Sequence, residues 1–251
     1  MQGREALRRG DQAQQPYVRS LRTDREPRIT ELMDAYGLAR QTVRDAIGEL
    51  ADEGLVVAVR KTGTVVRHRT PVAIPLSRYR HAMTPTGSDG PWQAATAAQG
   101  IDGAMELIGV ERVPADEELG VLLDTPGGEL VRRSRHAVIR PDDVVQIQHA
   151  WYPAQLAEAA GIATADKVRG GVYRALAAAG FAPATVSETV AARLPGPDEA
   201  TRLRIGGKVS VLTVERLTRD SAGRPLEVLR TVAPADRIRL CYDDLPLNSG
   251  S

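Results

Sequence analysis

Arg40, Gln41, Thr42 and Arg44 are the residues of this chain whose types and spacing could read an array of hydrogen-bond donors and acceptors. A guanidinium presents two parallel N–H groups that match the O6/N7 edge of guanine, and a Gln amide can pair with the N6/N7 edge of adenine. Thr42 suits a phosphate oxygen or a thymine methyl. Val43 begins an apolar series with Ile47 and Leu50, and Ala46 lies beside it. A helix over this stretch turns that series inward and leaves Thr42 and Arg44 free to face out. The plainer alternative is that Arg40 and Arg44 only solvate a surface helix and pair with Asp45 or Glu49.

The elements that would position these residues can be read on both sides. Leu32, Met33 and Tyr36 form one face of a short preceding helix, and Gly37 supplies a residue able to take a positive φ at the turn. Two short helices joined by such a turn make a helix-turn-helix. Gly54 ends the second helix. Leu55 to Val59 and Thr64 to Arg67 then read as two strands around the turn Arg60-Lys61-Thr62-Gly63, a hairpin or wing. From Gly54 through Met83 the chain carries Arg60, Lys61, Arg67, Arg69, Arg78 and Arg80 with no Asp or Glu, a stretch that could face phosphate.

The length of 251 residues points to two domains. Residues 1–69 are expected to form the winged unit, with 1–15 disordered and a weak helical signal from Tyr17 to Arg25. Residues 70–91 form a Pro/Gly-rich linker, and 92–247 a second domain. That second part contains a diverged duplication. Pro114-Ala115-Asp116-Glu117, Leu122-Leu123, Gly127-Gly128 and the strand-like Glu129 to Arg135 answer to Pro197-Asp198-Glu199-Ala200, Leu203, Gly206-Gly207 and Val209 to Arg216. Each copy continues through a turn into a further strand, ending at Pro153 and at Pro234, and both glycine pairs read as helix stops. Two half-sheets that bury each other in one antiparallel sheet with flanking helices are expected, with a helix from Gly170 to Gly180 between the copies. The fold class is α+β.

The net charge of +1 does not by itself mark a nucleic-acid binder, so the case rests on where the charges lie. The single cysteine, Cys241, excludes an intramolecular disulfide and a multi-thiolate zinc site, and reads as a small, part-buried strand residue. No apolar run approaches a bilayer span and the start of the chain is charged, so a cytoplasmic protein without membrane contact is expected. The four histidines, at 68, 81, 136 and 149, lack metal-ligand spacing, and no glycine-rich phosphate loop occurs. No metal, cofactor or catalytic residue is expected.

The segment Glu31-Leu32-Met33-Asp34-Ala35-Tyr36-Gly37-Leu38-Ala39-Arg40-Gln41-Thr42-Val43-Arg44, with Leu50, Glu53-Gly54-Leu55-Val56 and Gly63-Thr64-Val65-Val66, resembles the helix-turn-helix of the GntR family of bacterial regulators. Further on, Val144-Val145-Gln146-Ile147-Gln148, Trp151-Tyr152-Pro153, Tyr173-Arg174-Ala175-Leu176, Glu188, Arg216, Gly223-Arg224-Pro225-Leu226-Glu227 and Asp236-Arg237 resemble the UTRA effector domain of the HutC-type branch. The resemblance implies a winged helix-turn-helix joined to a chorismate-lyase-like domain that dimerises and binds a small-molecule effector, and a double-stranded operator with two-fold symmetry. Repression is the family default. It further implies DNA contact by Arg40, Thr42 and Arg44 and close approach of the wing tip at Gly63, flanked by Lys61 and Thr62. The family's usual arginine near the start of the first motif helix is replaced by Thr30, for which Arg28 could compensate. Ala39 stands where a capping Ser or Thr is usual, and losing that cap costs about 1 kcal/mol. The segment before Arg28 lacks the usual first helix and Leu-Pro-Ser connection.

For the effector, Arg133 and Arg135 alternate along a strand and share one face. The resemblance makes them phosphate-clamping candidates, against the alternative of ion pairs with Asp142 and Asp143. Gln148, Tyr173 and Glu227 fall in the same pattern, and Trp151 and Tyr152 either line a less polar site or, for Trp151, belong to the core. Gln148, Gly171 and Ala233 replace the Glu, Ser and Tyr of sugar-phosphate sensors, which argues against a phosphosugar. Two other functions fit the fold: a chorismate-lyase-like enzyme, and an interaction module that has lost operator binding.

Overall fold

The computed structural model describes residues 28–59, 63–67, 71–75, 91–139, 143–166, 168 and 170–242. The weak helical signal at 17–25, and Arg60, Lys61, Thr62, Arg69, Arg78 and Arg80, lie outside them. The chain divides into two compact units: residues 1–69 with 194–209, and residues 70–193 with 210–251.

In the first unit, α1 (Ile29–Tyr36) ends at Gly37, which takes φ +62°, and α2 (Arg40–Asp52) follows after two residues. The Glu31 carboxylate accepts the Arg28 backbone N–H at 2.8 Å, closing the start of α1. The start of α2 has no such help: Ala39 is its N-cap and makes no side-chain cap bond. Val43 and Ala46 are buried, as their spacing requires. β1 (Val56–Val59) and β2 (Gly63–Val66) pair antiparallel from Val56 opposite Val66 to Val59 opposite Gly63, forming the expected hairpin. Arg67, placed by its sequence in a phosphate-facing stretch, is instead buried, with Nη1 3.4 Å from the Gly54 carbonyl oxygen.

The second unit is built on one six-stranded antiparallel sheet of order β4-β5-β6-β9-β8-β7. The strands are β4 (Gly103–Pro114), β5 (Glu129–Ile139), β6 (Asp143–Pro153), β7 (Pro183–Arg193), β8 (Val211–Asp220) and β9 (Pro225–Pro234). Each half is a meander of three strands with a short helix after the first: α4 (Glu117–Leu122) in one, α7 (Pro197–Leu203) in the other. The halves meet at β6 and β9, as the duplication implies. α5 (Ala154–Ala159) and α6 (Val172–Ala178) contribute Leu156, Ala157 and Leu176 to a core with Val131, Ala150, Tyr152 and Leu229, so they cover one face of the sheet. On the other face Leu119 and Leu123 pack on Leu130 and Val228.

Some local readings change. The stretch expected as linker holds a strand, β3 (Val72–Pro75), paired in parallel with β10 (Ile238–Cys241). Pro75 is tolerated there because it is the last residue of an edge strand. The Gln99 side chain fastens β3 by bonding both the N–H and the carbonyl of Ala73, each at 2.9 Å. α3 (Pro91–Ala97) follows, and its Trp92 is buried with Nε1 donating to the Val138 carbonyl. The glycine pairs do not stop helices. Non-glycine residues, Asp124 and Arg204, take the left-handed conformation after α4 and α7, each at φ +50°.

Gly48 lies mid-way along α2 on its exposed side, with nothing within 4 Å of where a Cβ would stand. Two substitutions should therefore stabilise the first unit: Gly48→Ala by about 1 kcal/mol, and Ala39→Ser by about 0.5–2 kcal/mol. Denaturant unfolding checks both, and an unchanged midpoint for either contradicts the assigned helix geometry.

Candidate nucleic-acid interface and effector site

A helix turns 100° per residue, so the buried Val43 and Ala46 fix which side of α2 faces out. Gln41 and Arg44 fall near the middle of the outer side, while Arg40 and Thr42 flank it on opposite margins. Arg40, Gln41 and Arg44 are exposed, and Thr42 is half-buried. Gln41 donates to the Asp45 carboxylate at 2.8 Å, one turn on. Among the described residues, Arg40 and Arg44 make no hydrogen bond or ion pair. Arg28 and Thr30 are exposed at the start of α1. At the wing, Gly63 is exposed at φ +101° with nothing near its Cβ position, so backbone alone is presented there. The uncapped start of α2 adds free backbone N–H groups at the positive end of the helix dipole. The arrangement offers guanidiniums and an amide on the exposed side of α2, next to its free N-terminus.

A second cluster lies on the helix-covered face of the sheet, where strand register sets out its rows. Arg135 is opposite Gln148, which is opposite Thr231. One row on, Arg133 is opposite Ala150, Ala150 opposite Leu229, Leu229 opposite Arg216 and Arg216 opposite Glu188. In the third row Val131 faces Tyr152, and Glu227 faces Thr218. The Tyr152 hydroxyl donates to Glu227 Oε1 at 2.5 Å, joining the two halves of the sheet. Glu227 Oε2 accepts from Arg216 at 2.8 Å and from the Thr218 and Tyr173 hydroxyls, each at 3.2 Å. The Arg216 guanidinium also lies 5.5 Å from the centre of the Tyr173 ring.

Burial alone pushes the Glu227 carboxyl up, but Arg216, the Tyr152 hydroxyl and the charge of Arg135 outweigh it and hold the carboxyl below its ordinary value. Burial, and then the Glu227 charge, raise the Tyr152 hydroxyl well above its own. Arg133 is only 4% exposed, and its Nη1 donates to the carbonyls of Ile162 and Thr164 at 2.5 and 2.6 Å. Burial lowers its guanidinium from the usual value, and neighbouring Arg135 adds to the effect. The Nε atoms of Arg133 and Arg135 are buried without a hydrogen-bond partner among the described residues. Three guanidiniums therefore share this face with Glu227 and, toward the β7 edge, Glu188. Such an excess of positive charge suits an anion.

Arg133, Arg135, Gln148, Tyr152, Tyr173 and Glu227 are thus brought to one face. Trp151 is not: the alternation of β6 turns it to the opposite face, where it packs with the Leu119, Leu123, Leu130 and Val228 core. His149 lies with it, 5.9 Å between ring centres, and bonds Ser134 at 2.8 Å. Tyr152 is wholly buried, so it holds Glu227 rather than lining an open surface. The sequence marks Arg216 only as part of the family pattern and does not single out Thr218; the alternation of β8 opposite Glu227 is the signal that finds both as its partners. Asp143 is paired with Arg237 at 2.5 Å, not with Arg133 or Arg135. Lys61 and Thr62 fall outside the described residues. Among those described, no group of three or more His, Cys, Asp and Glu residues could hold a metal ion, and no helix is long and apolar enough to cross a membrane.

Comparison with known proteins matches residues 24–66 to the bacterial regulatory proteins of the gntR family and residues 98–239 to the UTRA domain. An uncharacterised HTH-type transcriptional regulator of Rhizobium meliloti is 30% identical over 215 residues, covering 85% of this chain and 83% of that protein. The histidine utilization repressor of Pseudomonas putida is 28% identical over 217 residues, covering 86% and 81%. The crystal structure of PhnF from Mycobacterium smegmatis shares the fold, with a TM-score of 0.59 at 24% identity, over 90% of this chain and 93% of that one. With the reading helix, the wing and the duplicated sheet all in place, the chain belongs to the GntR family of transcriptional regulators, in the branch that carries a UTRA domain.

Proposed function

We propose that this protein is a homodimeric repressor that reads a two-fold symmetric operator with α2 and releases it when a small anionic effector binds the helix-covered face of the sheet. The exposed guanidiniums of Arg40 and Arg44, unengaged among the described residues and on a helix whose opposite side is buried, carry this reading. In a helix-turn-helix the second helix enters the major groove N-terminus first. Arg44 and Gln41 then meet base edges, Arg40 and Thr42 meet the groove walls, and Arg28, Thr30 and the wing from Lys61 to Gly63 contact backbone. Gln41 must exchange Asp45 for a base, so it contributes less than Arg44. Gly48, lacking a side chain on the outer face, leaves room for a phosphate to come close.

The effector is held by Arg133 and Arg135, with Gln148 and Tyr173 beside them. Both oxygens of Glu227 already have donors from the protein, so little acceptor capacity remains for ligand hydroxyls. A compact anion with few hydroxyl groups fits better than a phosphosugar. The DNA-reading part is residues 1–69 together with 194–209, and the effector part is the remainder of 92–247. The chorismate-lyase-like scaffold is used here for binding, and the expected cellular compartment is the cytoplasm.

Arg44→Ala should weaken binding to a duplex selected from a random pool by about 1–3 kcal/mol and relax base preference at one position of each half-site. Undiminished affinity and selectivity would sink the assignment. The effector can be sought by thermal shift with small carboxylates and phosphates, since a ligand at about 100 times its Kd adds about 2.7 kcal/mol of stability. Arg135→Ala should abolish the shift given by the true ligand class, and a shift that survives that substitution places the site elsewhere. Chorismate incubated with the protein should be recovered unchanged, and its turnover would revive the enzyme reading.

A further inference from the structure

The connection between β7 and β8, residues 194–209, belongs to the compact unit of the winged helix, although the strands it joins belong to the other. The contact is backbone against backbone. A Cβ on Gly206 would collide with the carbonyl oxygens of Ala51 and Asp52, in the last turn of α2. That glycine has no positive φ, so close approach, and not turn geometry, requires it. The Lys208 N–H donates to the Asp52 carbonyl at 3.3 Å, one of the acceptors that a helix C-terminus leaves without an internal donor. The Lys208 ammonium lies 3.8 Å from the Asp52 carboxylate. A Val209 methyl occupies the space over Gly54, and Leu203, Ile205 and Val209 are all buried.

Both ends of this segment are fixed in the sheet. Arg193, the last residue of β7, pairs with Val211, the first of β8. Further along the same ladder, Glu188 pairs with Arg216, whose guanidinium holds Glu227 on β9. We infer that residues 194–209 form a lever that transmits the state of the β7–β8 ladder to the recognition helix through the Gly206 seam. On the input side this rests on the effector face proposed above; the seam itself rests on the contacts of Gly206, Lys208 and Val209 with the end of α2 and Gly54. A displacement of β8 that follows a change at Arg216 reaches α2 without passing through the linker, because a backbone seam has no side chain able to absorb it.

Coupling between two sites is reciprocal, so DNA on α2 must alter β7 and β8 even with no effector present. The test is hydrogen exchange of the full chain, with and without a saturating duplex selected by the wild type. Exchange in 183–193 and 211–220 should change by about fivefold or more in the wild type. It should change equally in Gly207→Ala, because nothing lies within 4 Å of that Cβ position. In Gly206→Ala, which collides with α2, and in Val209→Ala, which loosens the seam by truncation, the response should fall to less than half while duplex is still bound. Val209→Ala decides alone if Gly206→Ala does not fold. A wild type that binds duplex with no response in these strands overturns the lever, as does a full response in the seam variants. A wild type that enriches no duplex at all overturns the regulator reading, and the lever with it.

Discussion

A carboxylate cannot stay ionised inside a protein unless several donors converge on it, and Glu227 imposes that demand on the whole effector domain. Its partners come from separate elements: Tyr152 from β6, Arg216 and Thr218 from β8, and Tyr173 from α6. Those donors meet only if the two meanders close into one sheet at β6 and β9 and α6 lies across it. Removing one partner of such a buried pair typically costs about 3–5 kcal/mol, comparable with much of a domain's net stability. With Glu227 satisfied internally, Arg133 and Arg135 on the neighbouring rows form no ion pair of their own among the described residues, although the charge of Arg135 still acts on Glu227. Glu227 is thus answered within the protein, while the guanidiniums of Arg133 and Arg135 lie on the same face.

The winged unit answers a different constraint. Its described core is small: Val43, Ala46 and Val56 are the fully buried apolar residues that its own sequence supplies. Residues 194–209 belong to the same compact unit, and a Val209 methyl from them packs over Gly54. α2 therefore has one end open and one end held. Its N-terminal turn lacks a cap and presents exposed side chains, while the carbonyls of its last turn abut Gly206 and Lys208.

Much of this was legible in the sequence. The apolar spacing of Val43, Ile47 and Leu50 gave α2, Gly37 gave the turn, and the repeated Pro-Asp/Glu, Leu and Gly-Gly marks gave the paired half-sheets. What escaped notice were the outermost strands, β4 and β7. β7 reads Pro-Ala-Thr-Val-Ser-Glu-Thr-Val-Ala-Ala-Arg and is mostly exposed, so it lacks the alternation that marks a half-buried strand. β4 has the alternation broken by a register shift between Leu107 and Gly109. The parallel pair of β3 and β10 joins segments more than 160 residues apart in sequence, and no local pattern announces such a pairing. Arg133 and Arg135 were visible as a shared face because strand alternation is local. Trp151 was grouped with Tyr152 by adjacency, although neighbouring strand residues point to opposite faces.

The two glycine pairs show most clearly where sequence reasoning stops. Gly127-Gly128 and Gly206-Gly207 occupy equivalent places in the duplication and look alike, yet they meet different constraints. In the first copy Asp124 takes the left-handed turn, Gly127 too has φ +66°, and Leu119 of α4 and Leu123 just after it pack on their own sheet. In the second, Arg204 takes the left-handed turn, and Gly206 is needed only because α2 lies against it. A duplication begins with two equivalent connections, each free to fold back on its own meander. One has done so, and the other packs against the reading helix. That asymmetry has no source within the repeat itself, because the contact that distinguishes the copies lies about 150 residues upstream in sequence, at Ala51 and Asp52. The half of the sheet that bears Arg216 and Glu227 is therefore also the half whose connection reaches α2, by covalent continuity and one glycine's missing side chain.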